Sequence, residues 1–112
     1  MTEKQFNEIS KWQKETFGQA TPLSKLAHLI KEVVELKDAI QNEDHTIDHE
    51  AIRKTKMEYA DCFFLLFGSA AAYGMSYEDI CDAVQKKFEI NKARKWGKPD
   101  VNGVVEHIKT NQ

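Results

Sequence analysis

Apolar residues recur along this chain at helical rather than strand spacing. Phe6, Ile9 and Trp12 fall three apart and put a narrow stripe on a first helix, which Gly18 ends. Thr21 followed by Pro22 predicts a second start, because the threonine caps free amides and proline's missing N–H costs nothing at the first helical position. That helix should run from about Pro22 to Gln41, with Leu26, Ile30 and Val33 as its core stripe. The polar stretch 42–48 reads as a surface loop with Thr46 or Asp48 as the next cap, and the third helix should extend to about Tyr73 and stop at Gly74. Ser76 and Asp79 approximate a capping box for a fourth helix carrying Ile80, Val84 and Phe88, broken by Gly97 and Pro99. Sustained strand alternation is absent, so the expected class is all-α, a four-helix bundle. Residues 1–112 should form a single domain in which 98–112 is a loosely packed tail. Leu29, Leu36 and Ile40 lie beside the stripe of Leu26, Ile30 and Val33, more apolar surface than one four-helix chain can cover, and this predicts a homo-oligomer.

Composition narrows the choice of partners. Charged residues are 30% and apolar residues 41% of the chain, the balance of a soluble globular protein. With 16 Lys plus Arg against 18 Asp plus Glu, the net charge of -2 offers no general attraction to nucleic acid or to an anionic membrane. The longest apolar stretch, Cys62 to Tyr73, is shorter than the roughly 20 residues a bilayer requires, and the N-terminus lacks a secretory apolar region. A cytoplasmic location is expected. Cys62 and Cys81 have no zinc-type spacing and read as reduced core thiols.

The candidate chemistry lies in carboxylates. Residues three apart on a helix differ by about 60° in azimuth, so Glu32 and Glu35 project side by side, on a face they share with His28. Glu58 and Asp61 repeat the device at the entrance to the most apolar part of the chain. One such pair is ordinary on a solvated helix face. Two pairs, the second running into an apolar segment, invite a hard divalent cation, because like charges packed in low dielectric otherwise repel at high cost. Magnesium, with manganese as an alternative, takes carboxylate oxygens and completes its shell with water and substrate phosphates, which suits a phosphoanhydride. A di-iron bundle would need Glu-x-x-His pairs, and His28, His45, His49 and His107 are too scattered to supply them.

Lys86, Lys87, Asn91, Lys92, Arg94 and Lys95 crowd the end of the fourth helix. Interaction of cations with the helix C-terminus accounts for Lys92 and Lys95. It does not account for Asn91, which continues the stripe of Val84 and Phe88, where an unpaired amide is costly and a substrate contact would satisfy it. Lys87, Asn91, Arg94 and Lys95 are therefore candidate nucleotide contacts. Trp12 and Phe17 suit stacking on a base, although their spacing suits ordinary core packing at least as well.

In their order, these motifs resemble the all-α nucleoside triphosphate pyrophosphohydrolases of the MazG superfamily. The resemblance rests on Glu32-Val33-Val34-Glu35, a spacer of 22 residues, Glu58-Tyr59-Ala60-Asp61, and Lys87 through Trp96, and it spans most of the chain. The run Arg94-Lys95-Trp96-Gly97-Lys98-Pro99-Asp100 and the following Gly103 to His107 look like the dATP/dGTP diphosphohydrolase branch. The resemblance implies hydrolysis of a nucleoside triphosphate, a purine deoxynucleotide such as dATP or dGTP, to the monophosphate and pyrophosphate. It further implies magnesium held by Glu32, Glu35, Glu58 and Asp61, a metal-bound water as nucleophile, and a dimer or tetramer whose neighbouring helices complete the site. Glu35 and Glu58 are the candidate catalytic bases, with the choice among the four carboxylates left open.

Two rival readings belong to other classes. A helical oligomerisation or regulatory module could bind nucleotide or metal without turnover, but all four acidic residues are present. A metal-free packing protein would leave both carboxylate pairs unexplained.

Overall fold

The computed structural model describes residues 1–18, 20–42 and 48–109. Among these are four α-helices, α1 (Glu3–Phe17), α2 (Pro22–Asn42), α3 (His49–Tyr73) and α4 (Tyr77–Ala93), and no strand beyond an isolated antiparallel bridge between Trp96 and His107. The class is all-α, as expected. No described helix is long and apolar enough to cross a membrane.

Local chemistry explains where the helices begin and end. Thr2 accepts a hydrogen bond from the Gln5 amide at the start of α1, and Gly18 closes it at φ 57°, donating to Lys14 O. Thr21 and Ser24 cap α2 reciprocally: Ser24 N donates to Thr21 Oγ1 at 3.0 Å and Thr21 N to Ser24 Oγ at 2.9 Å. Asp48 caps α3 by accepting from Ala51 N; the alternative cap Thr46, His45 and the rest of 43–47 lie outside the described residues. Gly74, at φ 108°, ends α3 in the left-handed conformation that favours glycine.

The chain divides into two compact units, Met1–Glu78 and Asp79–Gln112. In the first, α2 and α3 pack against each other along their length and α1 touches α3. The phase of α2 differs from the expected one. Its less exposed positions are Pro22, Lys25, Leu29, Glu32, Leu36 and Ala39, whereas Leu26, Ile30 and Val33 are exposed, Ile30 at 68%. Spaced at 3, 4, 3, 4 and 3, the inward set is a regular helical stripe that contains a lysine and a glutamate. The inward side of α3 likewise includes Thr55, Glu58, Cys62, Leu65, Gly68 and Ser69. Among the described residues, Phe6 and Leu65 are the buried apolar side chains. Phe6 meets Phe67 edge-on and lies 5.8 Å from the Tyr77 ring, whose hydroxyl donates to Met1 O.

In the second unit, Val84 and Phe88 are exposed, so the stripe that Asn91 was expected to continue is not buried in the single chain. Residues 98–109 are mostly exposed yet hydrogen-bonded back: Gly97 N donates to Glu106 O, Ile108 N to Lys95 O and Asp100 N to Val104 O. Trp96 and His107 meet edge to face. Cys81 is exposed, contrary to the core position expected for it, and both thiols are free.

The contact between α1 and α3 depends on Gly68. A Cβ built there would lie 3.0 Å from Gln13 Oε1 and 3.2 Å from its Nε2, and Gln13 is itself buried, its Nε2 donating to Phe64 O at 3.2 Å. Gly68→Ala gains about 1 kcal/mol of helix propensity. Displacing a buried, hydrogen-bonded amide costs about 1–3 kcal/mol. The substitution should therefore lower the melting temperature in the wild-type background and raise it when Gln13 is already alanine, a sign reversal readable by calorimetry.

Candidate functional site

Two inward stripes that both carry acid bring charges together. Glu32 from α2 and Glu58 and Asp61 from α3 each offer an oxygen, and these oxygens lie within 4.8 Å of one another. Glu32 and Glu58 are part-buried, and one oxygen of each, Oε2, is buried with no hydrogen-bond donor. The other oxygen of Glu32 lies 3.3 Å from His28 Nε2, one turn back on α2.

The electrostatics follow from this crowding. The Glu32 carboxyl titrates above its ordinary range, first because the Glu35 carboxyl is within hydrogen-bonding reach, then through desolvation and the charges of Glu35, Asp61 and Glu58. Glu35 thus stands beside Glu32, but it is not among the three whose oxygens converge, and it is exposed. Burial, followed by the same charges, pushes up the Cys62 thiol on α3. A raised thiol is a poor nucleophile, so Cys62 is packing beside the cluster rather than chemistry.

A donor set of converging carboxylate oxygens, two residues of which have a buried oxygen with no protein donor, fits a hard divalent cation. Hydrogen bonds from the protein do not satisfy these oxygens, and a cation would. Next to the cluster, a cavity of about 490 Å³ is lined by Glu32 and Asp61 at its acidic end and by Trp12, Phe17 and Phe64 among its aromatic walls. Trp12 is 54% exposed and meets Phe17 edge-on, so it forms a cavity wall and not the core packing that its spacing suited.

The basic candidates belong to the second unit. Lys87 and Lys95 are exposed, and Asn91 and Arg94 are half-buried. Arg94 Nη1 lies 3.4 Å from Asn91 Oδ1, while the Asn91 carbonyl accepts from Trp96 Nε1 at 2.9 Å. The Asn91 amide oxygen therefore has a protein partner, which removes the argument from an unpaired amide.

Three cavity residues escaped the sequence reading of the site. Lys25 is buried, with its ammonium 4.3 Å from the centre of the Phe17 ring. Gln13 lines the same cavity, as does His28. The spacing of 25, 28 and 32 on one helix face was the available signal, and for His28 and Glu32 it is the ordinary i, i+4 relation.

A family model described as dATP/dGTP pyrophosphohydrolase matches residues 5–112. No curated protein matches the chain. Among solved structures, the chain is similar to a cyanophage S-2L MazG-like pyrophosphohydrolase bound to dGDP and three catalytic Mn2+ ions per active site. The TM-score is 0.72 at 26% identity, and the match covers 99% of this chain and 97% of that one.

If the carboxylates repel as described, magnesium should raise the melting temperature of the wild type, since a ligand that binds only the folded state stabilises it. Sodium chloride at matched ionic strength should not reproduce the effect, and Glu58→Gln should lose most of it. The pH dependence has a definite sign. A carboxyl whose pKa is raised by folding destabilises the fold where it is charged, and the penalty disappears as pH falls and the group is protonated. Without metal, Glu32→Gln should therefore melt above wild type at pH 7, and the gap should narrow as pH falls through the titration of Glu32. Parallel melting curves of the two proteins across that range would contradict the clustered-carboxylate account.

Proposed function

The chain belongs to the dATP/dGTP pyrophosphohydrolase family, and from that premise we propose that it hydrolyses a purine deoxynucleoside triphosphate, with magnesium or manganese, to the monophosphate and pyrophosphate. The observation that carries this reading is the convergence of Glu32, Glu58 and Asp61 within 4.8 Å, with donorless buried oxygens on the first two. Glu35, beside Glu32, completes the proposed ligand set. The relative that binds dGDP and Mn2+ supports a nucleotide and a divalent ion as the occupants.

When bound, the metal supplies charge neutralisation and polarisation of the phosphoanhydride. The residues contribute the rest. The carboxylates at the acidic end of the cavity would hold that cation, and the aromatic walls, Trp12 among them, exclude water from the base and offer it a stacking face. Lys87, Asn91, Arg94 and Lys95 are proposed phosphate contacts, donors that match phosphate oxygens. In the reaction the bond between the α- and β-phosphates breaks, the oxygen of one water joins one of the two products, and a carboxylate accepts the proton that water gives up. Glu35 and Glu58 are the proposed acceptors, Glu35 because its exposure leaves it open to water.

Incubated with magnesium, the protein should release pyrophosphate and not orthophosphate from dGTP or dATP. Glu58→Gln or Asp61→Asn should lower kcat/KM by orders of magnitude, as loss of a metal ligand does. Full activity in both variants, or orthophosphate as the first product, would refute the assignment.

The same reading includes assembly. Leu23, Leu26, Leu66, Phe67 and Met75 line an apolar cavity of about 740 Å³ on the first unit, and Ile30, Val33 and Val34 of α2 are exposed beside it in sequence. Surface of this kind is more than a monomer leaves in water. The protein should sediment as a dimer or tetramer at micromolar concentration, and Leu66→Asp should shift it toward monomer. A wild-type monomer in sedimentation velocity would exclude the proposed assembly.

A further inference from the structure

Lys25 has no role in the reading above, and it is unusual in its surroundings. It is only 8% exposed, and among the described residues its ammonium has no carboxylate partner; the Phe17 ring, 4.3 Å from Nζ to centroid, is what it meets. Its stem is buried, but Nζ is not among the buried polar atoms of the described residues that lack a partner, so the ammonium keeps an open side from which an acceptor can reach it. The residue lines the 490 Å³ cavity together with Trp12, Phe17, Glu32 and Asp61. Lys25 precedes Glu32 by seven positions on α2, close to two full turns, so both project from nearly the same face, about 10 Å apart along the axis.

That separation places the lysine at the end of the cavity away from the acidic cluster. Resting on the proposed reaction, the phosphates belong at the carboxylates, and the length from phosphate to base carries the purine edge toward Lys25. An ammonium is a donor with no accepting capacity. Guanine presents two acceptors on one edge, O6 and N7, whereas adenine presents N7 beside a donating amino group. We propose that Lys25 is the specificity-determining residue of the base site and selects purines with an oxygen at position 6, so that dGTP is preferred to dATP. As a phosphate contact Lys25 would stand two turns from the metal-binding oxygens. As a mere packing cation it would leave base preference untouched.

The wild type should hydrolyse dGTP and dITP, which share O6 and N7, with kcat/KM about tenfold or more above dATP, the effect of one good contact to these acceptors. The triphosphate of 2-aminopurine deoxyriboside, which keeps the 2-amino group and N7 but lacks O6, should fall with dATP. Lys25→Met keeps the apolar stem against Phe17 and should bring the kcat/KM ratios of dGTP and of dITP over dATP to near one. Binding of dGMP and dAMP to wild type and variant, measured by calorimetry with magnesium, reads the same preference without turnover. Preferential dGMP binding with no pyrophosphate release would refute the proposed reaction while supporting the base contact. Pyrophosphate release with equal use of dGTP, dITP and dATP would refute the base contact alone. A uniform loss on all substrates in Lys25→Met would overturn it in favour of a phosphate or packing role, and if that variant fails to fold, efficient use of the 2-aminopurine substrate by the wild type overturns it equally.

Discussion

Carboxylates held between two packed helices are the constraint on which the rest of this molecule turns. An interface between α2 and α3 is where a chain of this size would ordinarily place its leucines. Here the inward stripes carry Lys25 and Glu32 on one side and Thr55, Glu58 and Ser69 on the other. Each occupies a position that would otherwise bury apolar area at about 25 cal/mol per Å². Oxygens of Glu32 and Glu58 are buried with no protein donor, which leaves the interface with unsatisfied acceptors that a cation would complete under the proposed reading. Stability has been exchanged for a site, which is the usual relation between strained or unsatisfied groups and function.

The displaced apolar residues account for the outer surface. With the inward face taken by polar groups, Leu26, Ile30 and Val33 turn outward, and Leu66 and Phe63 do the same on α3. Phe6 and Leu65 are left as the buried apolar side chains of the described chain. So small an interior is weak support for an independent monomer, since folding must offset about 1–2 kcal/mol of backbone entropy per residue. The exposed apolar surface and the crowded carboxylates thus share one cause, the composition of the α2/α3 interface.

Much of this was legible in the sequence because it depends on local chemistry. The Thr21-Pro22 start, the Asp48 cap and the glycine stops at 18 and 74 are governed by a few neighbouring atoms, and they stand where spacing and residue type put them. The two carboxylate pairs were equally readable, since i, i+3 geometry is a property of one helix. The phase of α2 was not. Choosing Leu26, Ile30 and Val33 as the core stripe assumes that apolar residues face inward, and that assumption fails where a charged site occupies the interior. Cys81 was misplaced for a related reason: membership in an apolar pattern does not say whether the same chain covers the residue. Asn91 shows the converse, because an amide that looked unpaired in a helical stripe meets Arg94 one turn later.

The position of Lys25 gains its meaning from the same phase. An exposed lysine two turns before a glutamate would be one charge among the 16 basic residues of the chain. Rotated inward, it shares a face with His28 and Glu32, and α2 becomes a rod with a cation near one end, a carboxylate two turns on, and an imidazole between them in contact with that carboxylate. A flexible loop could hold the same three groups, but not at a fixed separation. On a helix the spacing is set by about 1.5 Å of rise per residue, and backbone hydrogen bonds maintain it without help from the core. That rigidity fixes the separation of Lys25 from Glu32 along α2, while Glu58 and Asp61 reach the acidic end from α3 and depend on how the two helices pack. Under the proposed reading, a substrate whose phosphates meet a cation at the carboxylates presents its base edge near the lysine, and one whose length or edge chemistry differs loses one of these two contacts.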